Sequence, residues 1–214
     1  MTDQPTATVR RRNPRGQGDR LRQDILEAVA RLLDEKVAND ALPVSLREVA
    51  REVGIAAQSM YLHFADKDEL ARAVTEDGYE RLVTAMRDAD SEAAADGADA
   101  RERLRAQSEA FCTFARTQRG VYRLMFGYDA TAFGIPRESH PALRLRQQWV
   151  DALSACEDEG LSWPDGTENA AITLWSALFG RFALWSQTFG RQDPEELTAF
   201  AHRTVDTLLR DARH

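Results

Sequence analysis

Residues 45–70 read SLREVAREVGIAAQSMYLHFADKDEL, and this stretch decides the fold. Ser45 is a helix-capping residue, and Leu46, Val49, Ala50 and Val53 follow it at amphipathic spacing. The chain bends at Gly54-Ile55-Ala56, and a second short helix is expected from about Ala57. That helix carries Gln58, Ser59, Tyr61 and His63 on its polar side and leaves Met60 and Phe64 to face inward. Two short helices joined by a glycine-containing turn form a helix-turn-helix, whose second helix enters the DNA major groove. The expectation is a DNA-reading motif over residues 45–64.

Upstream, Leu21, Ile25, Val29 and Leu32-Leu33 recur at three- and four-residue spacing from Asp19, so a first helix is expected to end near Lys36. Its apolar stripe needs cover, which the inward faces of the next two helices supply. Residues 19–66 thus read as a three-helix DNA-binding domain. Residues 1–18 have almost no large apolar side chains and contain two prolines and two glycines, and they read as a disordered basic arm. Two readings of the arm stay open: a solvated tail, or arginines laid along DNA phosphates or the minor groove.

Downstream, Ala65-Asp66-Lys67-Asp68-Glu69-Leu70 reads as a new helix start, with Asp66 as cap and acids in the first turn. The helix is expected over 67–88, connecting the small domain to a second one at 67–214. Asp88 to Ala100 loses the apolar period and reads as a linker. Further helices are expected at about 101–118, 121–126, 142–159, 168–189 and from Asp193-Pro194 onward, with no period-two run long enough for a strand. The fold class is all-α.

The helix at 168–189 is apolar on two faces, one of them Leu174, Leu178 and Trp185. Two apolar faces need two partners. That seam, with Leu197, Ala201, Thr204 and Leu208 on the last helix, is expected to form a four-helix bundle across a two-fold axis in a homodimer. The alternative is a monomer whose helices surround one another.

Composition narrows the function. The total charge is −7, yet residues 1–22 hold six arginines against two aspartates, a net of +4, which leaves −11 on the remainder. A basic end on an acidic body orients a protein toward a polyanion. Cys112 and Cys156 have neither CxxC nor metal-ligand spacing, and each is expected to pack as a small apolar residue. The N-terminus lacks the apolar run of a signal peptide, and the most apolar segment, near 170–185, is interrupted by Thr173, Ser176 and Arg181. A cytoplasmic protein with no membrane association is expected. The four histidines form no HExxH or zinc spacing, and there is no P-loop, no GxSxG and no GxGxxG after a strand. An enzyme, a metal site and a cofactor are therefore not expected. A helical protein-binding adaptor is the other class to weigh, and the polar short helix beside an arginine-rich arm argues against it.

The run Tyr61-x-His63-Phe64-x-x-Lys67-x-Glu69-Leu70, after a helix-turn-helix with capping Ser45 and Gly54, resembles the TetR family of transcriptional regulators over about residues 20–86. Tyr122 to Phe126 and Trp175 to Gly180 look like its WHG-type C-terminal domain, although Phe179 stands where that pattern has a His. The resemblance implies a dimer on a double-stranded, palindromic DNA operator. Ser45, Tyr61 and Lys67 would meet phosphates, and Ala56, Ala57, Gln58 and Ser59 would approach base edges; Arg47 could contact a phosphate or a base, and His63 reads either as a contact beside them or as an ordinary polar surface or packing residue. Gln58 is the best reader, because its amide can pair bidentately with adenine. It implies too a small-molecule effector held among Phe111, Phe114, Tyr122, Phe126, Trp149, Trp175 and Phe179. Ordinary core is the bland reading of each ring taken singly. The expected function is a repressor released by that effector, with an activator or a ligand-independent regulator as the alternatives.

Overall fold

A computed structural model describes residues 17–36, 42–127, 135–187 and 193–212. These residues form nine α-helices and one 3-10 turn, with no strand element among them. The helices are α1 (Gln17–Glu35), α2 (Leu46–Val53), α3 (Ala57–Met60), α4 (Lys67–Ala95), α5 (Ala100–Thr117), α6 (Arg119–Gly127), α7 (Ala142–Asp158), α8 (Thr167–Gln187) and α9 (Pro194–Asp211), with the 3-10 turn at Arg137–Ser139.

The first three helices close around one apolar centre. Ile25, Val29, Val49 and Met60 are wholly buried and Phe64 nearly so. The guanidinium of Arg22 lies 5.1 Å from the centroid of the Phe64 ring and covers its outer side. Helix α1 begins at Gln17, so two residues assigned to the arm by sequence are already helical. The rest of the expected arm, with Arg10, Arg11, Arg12 and Arg15, lies outside the described residues, as does Phe189.

Helix α4 departs most from expectation. It does not stop at Asp88 but continues to Ala95, and the turn is confined to Asp96–Asp99, with Gly97 at φ 85°. Ser91-Glu92-Ala93-Ala94-Ala95 is a strong helix former that needs no apolar stripe at the rim. Fading periodicity there marks exposure rather than a linker. Asp99 then caps α5 by accepting from Glu102 N at 2.8 Å, with Glu102 returning the bond to Asp99 N.

The extended α4 is tied to the body by a relay of polar side chains, of which Gln107 and Gln148 are buried. Arg103 donates to both carboxylate oxygens of Asp90 at 3.0 and 2.8 Å, and Gln107 donates to Asp90 at 2.8 Å. Gln148 donates to Gln107 at 2.8 Å and accepts from Arg87 at 2.9 Å. The relay joins α4, α5 and α7, and it satisfies the amides of the buried Gln107 and Gln148.

A second joint lies between α1 and α6. Gly120 N donates to the Asp34 carboxylate at 2.6 Å, and Arg123 donates to the Lys36 carbonyl at 2.9 Å. The helices touch so closely here that a Cβ built on Gly120 would lie 2.5 Å from Leu33 Cβ and 2.6 Å from Leu33 O.

The expected dimer seam needs correction. Leu174, Leu178, Trp185, Leu197 and Ala201 are each at most 2% exposed within the single chain. Their own chain covers them: α5, α8 and α9 pack together, Arg105 of α5 donates twice to Asp206 of α9, at 2.8 and 2.7 Å, and the Arg119 guanidinium of α6 lies 4.7 Å from the Trp185 ring centroid. On α8 two apolar side chains stay exposed on different faces: Leu184, 50% exposed, on the side of Ala177, and Ile172, 42% exposed, on the side of half-buried Trp175 and Phe179. Thr204 and Leu208 keep partial access and line an open groove of about 480 Å³ between α8 and α9, together with Ala177 and Phe200.

Candidate nucleic-acid interface

The local geometry of the helix-turn-helix follows from its sequence. Ser45 Oγ accepts from Glu48 N at 3.2 Å and Glu48 reaches back to Ser45 N at 3.5 Å, a reciprocal capping box. As an acceptor in that cap, the Ser45 hydroxyl keeps its own O–H available to an anion. Lys36 Nζ donates to Glu48 at 2.6 Å and to the Pro43 carbonyl at 3.2 Å, pinning the end of α1 to the start of α2. This bond from Lys36 is the main reason the Glu48 carboxyl titrates below its ordinary range.

Helix α2 ends at Gly54 with φ 77° and ψ 29°, and the following Ile55 N reaches back to Ala50 O at 2.9 Å. The left-handed conformation is the one an L side chain adopts at a cost, and it turns the chain into α3. Helix α3 is a single turn, but helical bonding persists beyond it. Leu62 N donates to Ser59 O at 3.2 Å, and His63 N and Phe64 N donate to Met60 O at 2.9 Å. Met60 and Phe64, four apart, therefore point into the core, and Gln58, Tyr61 and Leu62 point out. Asp66 caps α4 by accepting from Glu69 N at 2.7 Å, while Glu69 accepts from Ala65 N at 2.6 Å.

Ser45, Arg47, Ala56, Ala57, Gln58, Tyr61 and Lys67 are exposed, and Ser59 and His63 are half-buried. The nine residues occupy the start of α2, the turn, α3 with its extension, and the first position of α4. Leu46, Val49, Ala50, Met60, Phe64 and Leu70 between them are all buried. A surface with hydroxyl, guanidinium, amide, phenol and ammonium groups, each free of apolar cover, has the donors that phosphates and base edges require. Sequence reasoning passed over Leu62, which is 76% exposed on the same surface. The four-residue spacing of Met60 and Phe64 already implied its outward position.

Six of the seven aromatic residues singled out in the C-terminal part form one contiguous group. Tyr122 is its hub, with ring centroids 4.5 Å from Phe126, 4.7 Å from Phe182 and 6.0 Å from Phe111. Trp149 lies 5.7 Å from Phe111, and Phe126 lies 5.3 Å from Phe179 and 6.1 Å from Trp175. Phe114 lies on a different surface, where it takes the Arg81 guanidinium at 5.8 Å and lines an open groove between α4 and α5. Two buried donors in the group, the Tyr122 hydroxyl and the Trp149 indole N–H, have no hydrogen-bond partner among the described residues. Burial raises the Tyr122 pKa far above that of a free phenol, so the hydroxyl keeps its proton. The Tyr79 hydroxyl beside them donates to the Met125 carbonyl at 3.2 Å. Among the described residues no group of three or more His, Cys, Asp or Glu side chains is placed to hold a metal ion, and no helix is long and apolar enough to cross a membrane.

Family models agree with the two halves of this description. A model for bacterial regulatory proteins of the tetR family matches residues 25–74, and one for tetracyclin repressor-like C-terminal domains matches residues 104–208. The chain belongs to the TetR family. Solved structures share the fold. A protein of unknown function from a Rhodococcus species is 25% identical, with a TM-score of 0.71 over 88% of this chain and 95% of its own. The TetR family transcriptional regulator PfmR of Thermus thermophilus is 22% identical, with a TM-score of 0.64 over 87% and 97%. The fatty acid degradation regulator FadR of Bacillus halodurans is 15% identical, with a TM-score of 0.69 over 92% and 97%. As a TetR family member the chain is a DNA-binding transcriptional regulator.

Proposed function

We propose that this regulator is a repressor that binds a palindromic operator as a homodimer and leaves it when a small molecule enters the C-terminal domain. The observation that supports DNA reading best is the exposed row Gln58, Tyr61 and Leu62, held rigid by buried Met60 and Phe64. In this reading Ser45, Tyr61 and Lys67 grip phosphates, Gln58 reads a base, and Arg47, Ala56, Ala57, Ser59 and His63 complete the footprint. The dimer forms through the groove that the chain leaves open between α8 and α9, with Ala177, Leu184, Phe200, Thr204 and Leu208 at its contact. Two-fold pairing of this kind matches two half-sites on one face of the duplex.

The effector lodges among Phe111, Tyr122, Phe126, Trp149, Trp175 and Phe179, where Tyr122 and Trp149 offer unpartnered donors to its polar atom. It acts by favouring an arrangement in which the two reading helices no longer match the half-site spacing. The test pairs sedimentation analysis with selection from random duplex DNA. A dimer that recovers an inverted repeat supports the reading. A monomer, or a chain that enriches no sequence, overturns it. A reporter driven from the selected site then separates repression from activation.

A further inference from the structure

Leu62 is the most exposed large apolar side chain among the described residues, at 76%, against 50% for Leu184 and 49% for its neighbour Tyr61. A single exposed leucine needs no explanation by itself. Its position does, because helical bonding continues from Ser59 O to Leu62 N at 3.2 Å and from Met60 O to Phe64 N at 2.9 Å. Leu62 therefore stands one turn beyond Gln58 on the same outward face, about 6 Å further along the helix axis. A chain that needed only solubility at this surface would put a polar residue there. Leu62 is also not among the apolar side chains that pack against the core.

We infer that Leu62 reads the C5-methyl group of a thymine, one step along the major groove from the base that Gln58 contacts. The thymine methyl is the apolar feature that base edges present in the major groove, and the other groups there are donors or acceptors that a leucine cannot satisfy. A leucine facing the groove therefore favours A·T over the other pairs on one strand by burying that methyl. It would leave a cytosine amino group or a guanine acceptor dehydrated and unpaired. Selectivity at this position is thus carried by apolar contact, beside a neighbouring position read by hydrogen bonds. The inference rests on the DNA-reading surface proposed above and adds a specificity residue to it.

The test deletes the methyl from the DNA and the side chain from the protein. The full chain first selects its tightest duplex from a random pool. Each thymine of that duplex is then replaced in turn by deoxyuridine, which removes the methyl and leaves base pairing intact. With the wild-type protein, one thymine per half-site is expected to show a loss of about fourfold in affinity, the equivalent of one buried methyl-sized group. Leu62→Ala should bind the thymine and deoxyuridine duplexes equally at that position, and Leu62→Met should keep the difference. Leu62 is exposed, so both variants should retain the wild-type thermal midpoint, which is measured alongside. Equal methyl sensitivity in wild type and Leu62→Ala, or no methyl sensitivity at any thymine, overturns the inference while the DNA-reading surface stands. A wild-type protein that retains no duplex overturns that surface, and this inference with it.

Discussion

Replacing Gly120 by alanine should cost this protein more stability than the same change at Gly78 or Gly180. The new Cβ would lie 2.5 Å from Leu33 Cβ and 2.6 Å from Leu33 O, where carbon contacts want about 3.5–4.0 Å. Helices α1 and α6 must therefore separate by about 1 Å, because Leu33 meets the intruder with its backbone and cannot rotate away. Overpacking of that kind costs about 1–3 kcal/mol. The same displacement stretches the 2.6 Å bond from Gly120 N to Asp34, and losing a bond to a charged acceptor is worth about 1.5–3 kcal/mol. The two effects overlap, so a total of about 2–5 kcal/mol is expected, or a fall of roughly 5–15 °C in thermal midpoint for a chain of this length.

Two other glycines make the comparison decisive. At Gly78 an added Cβ would meet Met125 Sδ and Val121 Cγ1, both at 2.7 Å. These are side-chain atoms, and a methionine can swing aside, so Gly78→Ala should cost about 1–2 kcal/mol. At Gly180, inside α8, nothing lies within 4 Å. Gly180→Ala should be neutral or stabilise by up to about 1 kcal/mol through helix propensity. Denaturant unfolding followed by tryptophan fluorescence gives all three values in one series. A Gly120→Ala protein within about 0.5 kcal/mol of wild type, or one no worse than Gly180→Ala, would refute the claim that α1 and α6 meet backbone to backbone.

Lys67→Ala should weaken binding to all duplexes by a similar factor and lower the slope of log affinity against log salt by about one unit; an unchanged slope removes Lys67 from the phosphate contacts. Gln58→Ala should relax preference at one base pair per half-site, at about 1–3 kcal/mol, with its neighbours unaffected; a selected motif identical to the wild type's denies it a reading role. Burial raises the Cys112 thiol to about 12 and the Cys156 thiol to about 11, so neither is a thiolate at pH 8. Both should react slowly with a thiol reagent in the native protein and at full rate in denaturant, and fast native labelling of either would contradict its burial.

The elements most legible in the sequence were those specified by local chemistry. Ser45, Gly54 and Asp66 announce their helix boundaries through a cap or a left-handed turn, and Met60 with Phe64 sets the facing of the reading helix by spacing alone. The elements misread depended on what a neighbouring helix supplies. Periodicity shows that α8 is apolar on two faces but does not say which face its own chain covers. Leu174, Leu178 and Trp185 turned out to be covered by the chain itself, while Ile172 of the other seam and Leu184 of neither seam stay exposed. The end of α4 was missed for a related reason, since Asp90 is held by Arg103 and Gln107 across the helix pair rather than by any apolar stripe. Gly120 was invisible because a glycine needed for close approach is written with the same letter as one tolerated in a loop.

The two joints to the reading motif differ in how directly they reach it. Helix α4 carries Lys67 at its first turn and touches α6 midway, where the buried Tyr79 hydroxyl donates to the Met125 carbonyl. Helix α6 holds Tyr122 and Phe126 of the aromatic group, and its Arg123 donates to Lys36 O. Lys36 in turn binds Glu48, the partner of Ser45 in its capping box. A molecule wedged between the Tyr122 and Phe126 rings would therefore push on a helix that is bonded, in three steps, to the hydroxyl proposed to grip phosphate. Such a push shifts the protein only if the molecule prefers one arrangement of α6 over the other. The close packing at Gly120 makes graded yielding costly, because α6 cannot approach α1 any further. Any displacement must carry α1 with it or open the joint. Carrying α1 along moves the reading helices as one body, whereas opening the joint frees Lys36 and loosens the start of α2.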